Sequence, residues 1–224
     1  MTSLTAHGIC NAIGGQLVSG PFERVASGGV CTDSRALAPH AVFFALGGEK
    51  FDGNLFAPEA SRTAAAVVVS RVEPGIDPSC AVILVEDTLT ALQKLASWWR
   101  SNLKLIVVGL TGSNGKTSTK DLTAAVLSRK FRTVATEGNL NNHIGVPLSI
   151  LKAEPADEMA VWEIGMNHPG ELAPLCGMTQ PHIGIITSIG TSHMEYMGSR
   201  DNIAREKCTV AECLPENGHM IFPA

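Results

Sequence analysis

Apolar residues along this chain fall in two rhythms. Short apolar runs, several rich in β-branched residues, occupy 30–32, 42–46, 66–69, 81–85, 105–110, 132–135, 160–164 and 183–187, and 220–224 looks like a further strand. Runs of this length bounded by turn residues predict buried strands. Between them the apolar positions recur at helical spacing. Residues 4–13 predict a short helix stopped by Gly14-Gly15. Asn54 is expected to cap a helix reaching about Thr63. Residues 88–101 predict a helix with Leu92, Leu95, Ala96 and Trp99 inward. Residues 118–129 predict another, with Leu122, Val126 and Ala125 on its inner face. Further helices are expected from Pro147 to Leu151, from Asn167 to Cys176 and from Asp201 to Leu214. The fold class is α/β: a small α/β domain over 1–86, then a parallel-sheet domain from 87 to 224.

The stretch around which the second domain is organised is Thr111-Gly112-Ser113-Asn114-Gly115-Lys116-Thr117. It lies between the strand 105–110 and the helix 118–129. Strand, glycine loop, helix is the context of a phosphate-binding loop. Glycines let main-chain N–H groups turn inward around phosphate oxygens, and the helix N-terminus adds positive partial charge. Lys116 would reach the outer phosphates, and the Thr117 hydroxyl would hold Mg²⁺. The longer form of the motif begins with glycine where this chain has Leu110, so this is a shortened variant.

Other polar residues stand out against the apolar pattern. Glu163 sits near the carboxyl end of its strand, where ligands bind in open α/β sheets. It is either a solvent-facing strand end or a Mg²⁺ ligand. The amide-rich connector 137–147 is long for a compact domain, and long loops are often functional. His193 reads as a solvated loop histidine or a metal ligand, and Lys207 as a solvated helical lysine. Asp33-Ser34-Arg35 is a polar turn within an apolar stretch, bland or functional on composition alone.

Composition narrows the class. The 224 residues are 45% hydrophobic and 17% charged, enough for a substantial core. A net charge of −4 supplies no basic field for nucleic acid. No apolar run approaches membrane-spanning length, and residues 1–8 lack the pattern of a signal peptide. The six cysteines are scattered without a C-x-x-C pair, which suggests reduced thiols and a cytoplasmic setting.

Taken together, several blocks resemble one family. The stretch 111–117 is similar to the shortened phosphate loop of the Mur ligases and folylpolyglutamate synthetases. Gly138-Asn139-Leu140-Asn141-Asn142 with Ile144-Gly145-Val146-Pro147, and Glu163-Ile164-Gly165-Met166-Asn167 with Gly170-Glu171, resemble Mur ligases more specifically. So do Thr32-Asp33-Ser34-Arg35, Phe43-Phe44-Ala45-Leu46 and Phe51-Asp52-Gly53 at the front. Lys207 with Leu214-Pro215-Glu216-Asn217-Gly218 agrees at the back. These blocks look like the branch of the family that joins D-alanyl-D-alanine to UDP-N-acetylmuramoyl-tripeptide.

The resemblance implies a three-domain ATP-dependent ligase of peptidoglycan precursor synthesis, a monomer when complete. This chain is expected to cover the UDP-sugar domain and about the front half of the ATPase domain, without the third domain. Alone, it is then expected to have negligible ligase activity. Residue by residue, the resemblance places Gly112, Ser113, Asn114, Gly115, Lys116, Thr117 and Thr119 on ATP, with Asn139 approaching the nucleotide. Thr117, Glu163 and His193 would ligate magnesium, with two ions in all. Lys207 would carry a carbamate, able to bind the second ion or its water shell. Lys116, Glu163, His193 and Lys207 are thus the expected catalytic set. Asp33, Ser34, Arg35, Gly47 and Gly48 would form the UDP-substrate site.

Two other readings stay open. One is a Mur ligase acting a step earlier, which joins a diamino acid or lysine. The other is a nucleotide- or UDP-sugar-binding module without catalysis. A GTPase or kinase is disfavoured, since no N-K-x-D guanine-reading motif is present.

Overall fold

The computed structural model describes residues 4–48 and 51–223. Glu49, Lys50 and the ends of the chain lie outside the described residues. The chain divides into two units, residues 1–98 and 99–224. The division falls within one long helix, whose start immediately follows Asp87, where the second domain was expected to begin.

In the first unit, β1 (Leu4–Thr5) leads into α1 (Ala6–Ile13), and the Thr5 hydroxyl caps that helix by accepting from Gly8 N at 3.1 Å. Gly14 ends it in the left-handed conformation, φ 70. Then come β2 (Gln16–Ser19), β3 (Val25–Ala26) and β4 (Val30–Cys31). β5 (Val42–Phe44) ends earlier than its apolar run. Gly47 and Gly48 form a strand of their own, β6 (Gly47–Gly48), paired antiparallel with β7 (Phe51–Asp52).

The helix expected from Asn54 is shorter and starts later. Asp52 caps a single 3-10 turn over Gly53–Phe56, and α2 runs over Ala57–Ser61. Pro58 explains the start, because proline is tolerated in a first turn and not inside a helix. Asn54 is buried instead, with its amide on Asp52 and Ser70. β8 (Ala66–Val69) and β9 (Ala81–Leu84) complete a sheet of order β2-β9-β8-β5-β4, parallel except for β2. Phe43, Val67, Val69 and Val82 pack with Ala57 and Ala60 in its core. Each fully buried large apolar side chain contributes about 1.5–3 kcal/mol relative to exposure.

α3 (Thr88–Ser101) has the expected inner face, with Leu92, Leu95, Ala96 and Trp99 buried. The second unit follows with β10 (Ile106–Thr111), α4 (Lys116–Leu127), β11 (Thr133–Ala135), α5 (Gly145–Lys152) and β12 (Met159–Glu163). It continues through α6 (Leu172–Thr179), β13 (Ile183–Ile186), α7 (Met194–Met197), α8 (Arg200–Glu212) and β14 (His219–Ile221). α6 begins five residues later than expected. Residues 167–171 form a turn instead, in which the Glu171 carboxylate accepts from the Asn167 and His168 amides.

This sheet is parallel throughout, in the order β11-β12-β10-β13-β14. Strand β10 lies between β12 on one side and β13 on the other, so the carboxyl end of β10 opens onto a topological switch point.

The face of α4 is the reverse of that expected. Leu122 and Val126 are 69% and 70% exposed, and Ala125 is exposed too. Ala124 and Leu127 pack on the sheet, and the buried polar residue of that helix is Lys120.

Candidate functional site

The turn after β10 is held open by two glycines. Gly112 has φ 153, and a Cβ there would lie 1.9 Å from Thr187 Oγ1. Gly115, at φ 79, turns the chain into α4. The loop leans on the segment that follows β13. Ser113 N donates to Ser188 O and Asn114 N to Ser188 Oγ, both at 2.9 Å, while Thr187 Oγ1 donates to Asn114 O at 2.6 Å. Gly190 N donates to Ser113 Oγ at 2.9 Å. The amides of Ser113 and Asn114 are thus taken up within the protein. The first turn of α4, from Gly115 to Ser118, presents orphan N–H groups to an anion. Thr119 N already closes the helix on Gly115 O.

Lys116 folds back over the loop, with Nζ donating to Gly112 O at 2.8 Å. Thr117 Oγ1 donates to Glu163 Oε2 at 3.1 Å. Glu163, at the end of β12, is 1% exposed. Its other oxygen accepts from Asn141 Nδ2 at 2.8 Å, and its main-chain N donates to Thr136 Oγ1 at 3.0 Å. Both carboxylate oxygens are met by neutral groups. A buried carboxylate so placed is costly unless a cation joins it.

Asn139 is exposed and closes only a local turn, its carbonyl accepting from Asn141 N at 2.8 Å. Asn141, two residues on, is the amide that reaches the carboxylate. Its main-chain O also accepts from Gly165 N at 2.8 Å, and a Cβ on Gly165 would sit 2.8 Å from Asn141 Cγ. Gly165 is therefore the residue that makes room for Asn141.

His193 heads α7 in the left-handed region, φ 63, on the segment that also carries Ser188, Gly190 and Ser192 against the loop. Lys207 is 2% exposed on α8. Burial lowers its amine to about 8, and the Lys116 charge pushes the same way, against the opposing pull of Glu206. Glu206 fixes this part of α8, its carboxylate accepting from Gly170 N and Leu172 N at 3.0 Å each. Among the described residues, no three His, Cys, Asp or Glu side chains converge into a metal cage. The oxygens brought together are those of Thr117 and Glu163. Hard oxygen donors of this kind, on a carboxylate with no cationic partner among the described residues, fit Mg²⁺.

In the first unit, Asp33 caps a 3-10 turn over Ser34–Ala36. Arg35 grips Asp33 through Nε at 2.9 Å and Nη2 at 2.7 Å, and that guanidinium holds the Asp33 carboxyl down at about 2. Both line a cavity of about 530 Å³ with Ser34, Phe43, Phe51 and Phe56. Phe51 and Phe56 are 58% and 44% exposed. Gly48 permits the Phe51 ring to fold over it, since a Cβ there would lie 2.9 Å from the ring. Gly47 has open space around it.

The sequence pattern of the Mur ligase middle domain matches residues 110–224. The chain belongs to the Mur ligase family. It is 43% identical over 223 residues to the UDP-N-acetylmuramoyl-tripeptide–D-alanyl-D-alanine ligase of Bacillus subtilis, covering 99% of this chain and 49% of that protein. The fold superposes on MurF from Acinetobacter baumannii with a TM-score of 0.89 at 35% identity, covering 99% of this chain and 49% of the other. It also superposes on the MurF ligase from Thermotoga maritima in complex with ADP, at a TM-score of 0.77 and 34% identity, covering 86% and 45%. This Mur ligase chain spans about half the length of the curated relatives it matches. No helix among the described residues is long and apolar enough to cross a membrane.

Proposed function

We propose that this chain provides the UDP-substrate and nucleotide sites of a MurF-type ligase. That enzyme joins D-alanyl-D-alanine to UDP-N-acetylmuramoyl-tripeptide in the cytoplasm at the expense of ATP. The observation that carries the reading is the Thr117 hydroxyl on the buried Glu163 carboxylate at the head of the phosphate-loop helix. A hydroxyl and a carboxylate so placed suit a magnesium ion on nucleotide phosphates. The names of the relatives support the choice of substrates.

In this reading the tripeptide carboxylate oxygen attacks the γ-phosphorus and ADP leaves, giving an acyl phosphate. The neutral amine of D-alanyl-D-alanine attacks the acyl carbon, the acyl–oxygen bond breaks, and phosphate departs carrying the proton the amine gives up, leaving the amide. The carboxylate and the γ-phosphoryl group repel, so positive charge must be supplied. Magnesium, when bound, would neutralise charge on the phosphate oxygens. Thr117 and Glu163 would hold it, with His193 on the adjoining segment as a further ligand. The α4 amides and Lys116 would bind and orient the phosphates, Lys116 exchanging its present bond to Gly112 O for phosphate oxygen. Lys207, with its amine lowered to about 8, has a neutral fraction able to take up CO₂. The resulting carbamate would bind a second ion or its water shell. Arg35 would meet the UDP diphosphate, and the Phe51 and Phe56 rings would face its planar base.

Calorimetry with UDP-N-acetylmuramoyl-tripeptide and with Mg²⁺–ADP tests the assignment. Both are expected to bind this chain, while phosphate release with all three substrates stays negligible. Failure to bind either ligand would refute it. A MurE-type reading would be favoured if the UDP-dipeptide bound better than the tripeptide.

A further inference from the structure

Lys120 is a buried cation that the reaction as written does not use. It lies one turn after Lys116 on α4 and is 2% exposed. Its ammonium donates to Thr136 O at 2.8 Å and Gly138 O at 3.4 Å. The carboxylate of Asp121, 3.0 Å away, is largely solvent-exposed. The ammonium is thus shared between the exposed Asp121 carboxylate and two main-chain carbonyls of the β11–α5 loop, and only the carbonyls lie on another element.

That loop is the one that serves Glu163. Thr136 accepts the Glu163 amide through its hydroxyl. Gly138 turns the chain at φ 54, and three residues later Asn141 reaches the carboxylate. Asn142 then closes the turn into α5, its Oδ1 accepting from Ile144 N and Gly145 N. Thr136, Asn141 and Asn142 tie the loop to β12 and α5. Lys120 ties it to the phosphate-loop helix.

Stability alone does not call for a lysine here. A buried charge is costly, and an apolar side chain of similar volume often serves a core as well or better. What the ammonium supplies is reach and direction: one flexible stem from α4 that fixes two carbonyls of a neighbouring loop.

We propose that Lys120 is a positioning residue that holds the phosphate-loop helix and the Asn141 loop in one register. The nucleotide seated on α4 and the magnesium seated on Glu163 then meet at the right separation. This rests on the reading of the site as a magnesium–nucleotide site. Lys120 acts through Asn141 and Glu163 and touches neither phosphate nor metal. Outer residues that orient metal ligands change metal affinity by roughly 10–100-fold when removed.

The test is calorimetric titration of the chain with ADP, once with Mg²⁺ and once with EDTA. Wild type, Lys120→Met, Lys120→Gln, Asn141→Ala and the Lys120→Met/Asn141→Ala pair are compared. Wild type is expected to bind ADP more tightly with magnesium. In Lys120→Met this magnesium-dependent gain is expected to shrink by roughly 10–100-fold, with ADP binding in EDTA unchanged. Lys120→Gln, which keeps a donor for Thr136 O, is expected to fall between. The double variant is expected to lose no more than the larger single loss, because both act on one element. An undiminished gain in Lys120→Met, equal losses with and without magnesium, or additive losses would overturn the proposal. So would failure of both Lys120 variants to fold, which would assign the residue to the fold alone. If wild type itself shows no magnesium-dependent binding, the nucleotide-site reading fails first, and that result is distinct from every variant outcome.

Discussion

Asn141 Nδ2 stands 2.8 Å from Glu163 Oε1, across 22 residues of sequence. The bond orients a buried carboxylate so that its second oxygen faces the Thr117 hydroxyl. Replacing Asn141 by leucine leaves Oε1 without its donor and frees the carboxylate to turn. Affinity for ADP in the presence of magnesium is expected to fall by roughly 10–100-fold, with little change in EDTA. Calorimetry reads both.

Gly112 has no room for a side chain. A methyl group there would lie 1.9 Å from Thr187 Oγ1, on a backbone at φ 153. Gly112→Ala is expected to lower stability by about 1–3 kcal/mol and to abolish ADP binding by moving the loop. Thermal or denaturant unfolding and an ADP titration check the two effects. Gly165→Ala contrasts with it. The added methyl meets the flexible end of Asn141, so stability should change less while the magnesium-dependent part of ADP binding is lost.

Lys207 makes stability depend on pH in a defined direction. Its folded amine titrates at about 8, below the ordinary 10.5. Between those values the unfolded chain holds a proton that the folded chain lacks, so stability rises with pH across that window. Below about 8 both states are protonated and the cost of burying the charge is fully present. Lys207→Met is therefore expected to be more stable than wild type at pH 7, with the difference shrinking as pH approaches 10. Denaturant melts at several pH values test this, and a constant difference would contradict it. Wild type in ¹³C-bicarbonate at pH 8 is also expected to give a carbamate carbon signal that Lys207→Met lacks.

Arg35→Ala is expected to weaken binding of UDP-N-acetylmuramoyl-tripeptide while leaving magnesium-dependent ADP binding intact. Loss of the guanidinium also leaves the Asp33 carboxylate without its partner, a negative charge that the proposed diphosphate would meet, so the effect should exceed that of removing one neutral hydrogen bond. Parallel titrations with the two ligands separate it from a general loss of folding.

The strand, glycine loop and helix around Thr111 to Thr117 were legible because three signals coincide: a β-branched run before the loop, glycines within it and a helical pattern after it. The place of Glu163 at the carboxyl end of a strand was legible too. Asn141 was not, because spacing in a loop with Asn139, Asn141 and Asn142 cannot say which amide turns inward. That depends on the left-handed turn at Gly138 and the room left by Gly165. The inner face of α4 was misread for a related reason. Leu122 and Val126 make a good apolar pair at helical spacing, yet Ala124 and Leu127 with Lys120 form the buried face. A lysine buried on main-chain carbonyls leaves no apolar signal. Phe51 stands out in the sequence only within the block Phe51-Asp52-Gly53 and Phe56 not at all, because their gathering beside Arg35 needs the β6–β7 pairing and the 3-10 turn after it. The short strands β2 and β3 escaped notice because they are mostly exposed and carry no apolar run.

The most direct measurement is ADP affinity with and without magnesium in wild type and in Glu163→Gln. Wild type is expected to gain affinity from the metal. Glu163→Gln, which keeps shape and hydrogen bonding but removes the charge, is expected to bind ADP in EDTA like wild type and to gain nothing from magnesium. Equal binding by wild type in both conditions, or a full gain in Glu163→Gln, would contradict the assignment of this turn and this carboxylate to one nucleotide site.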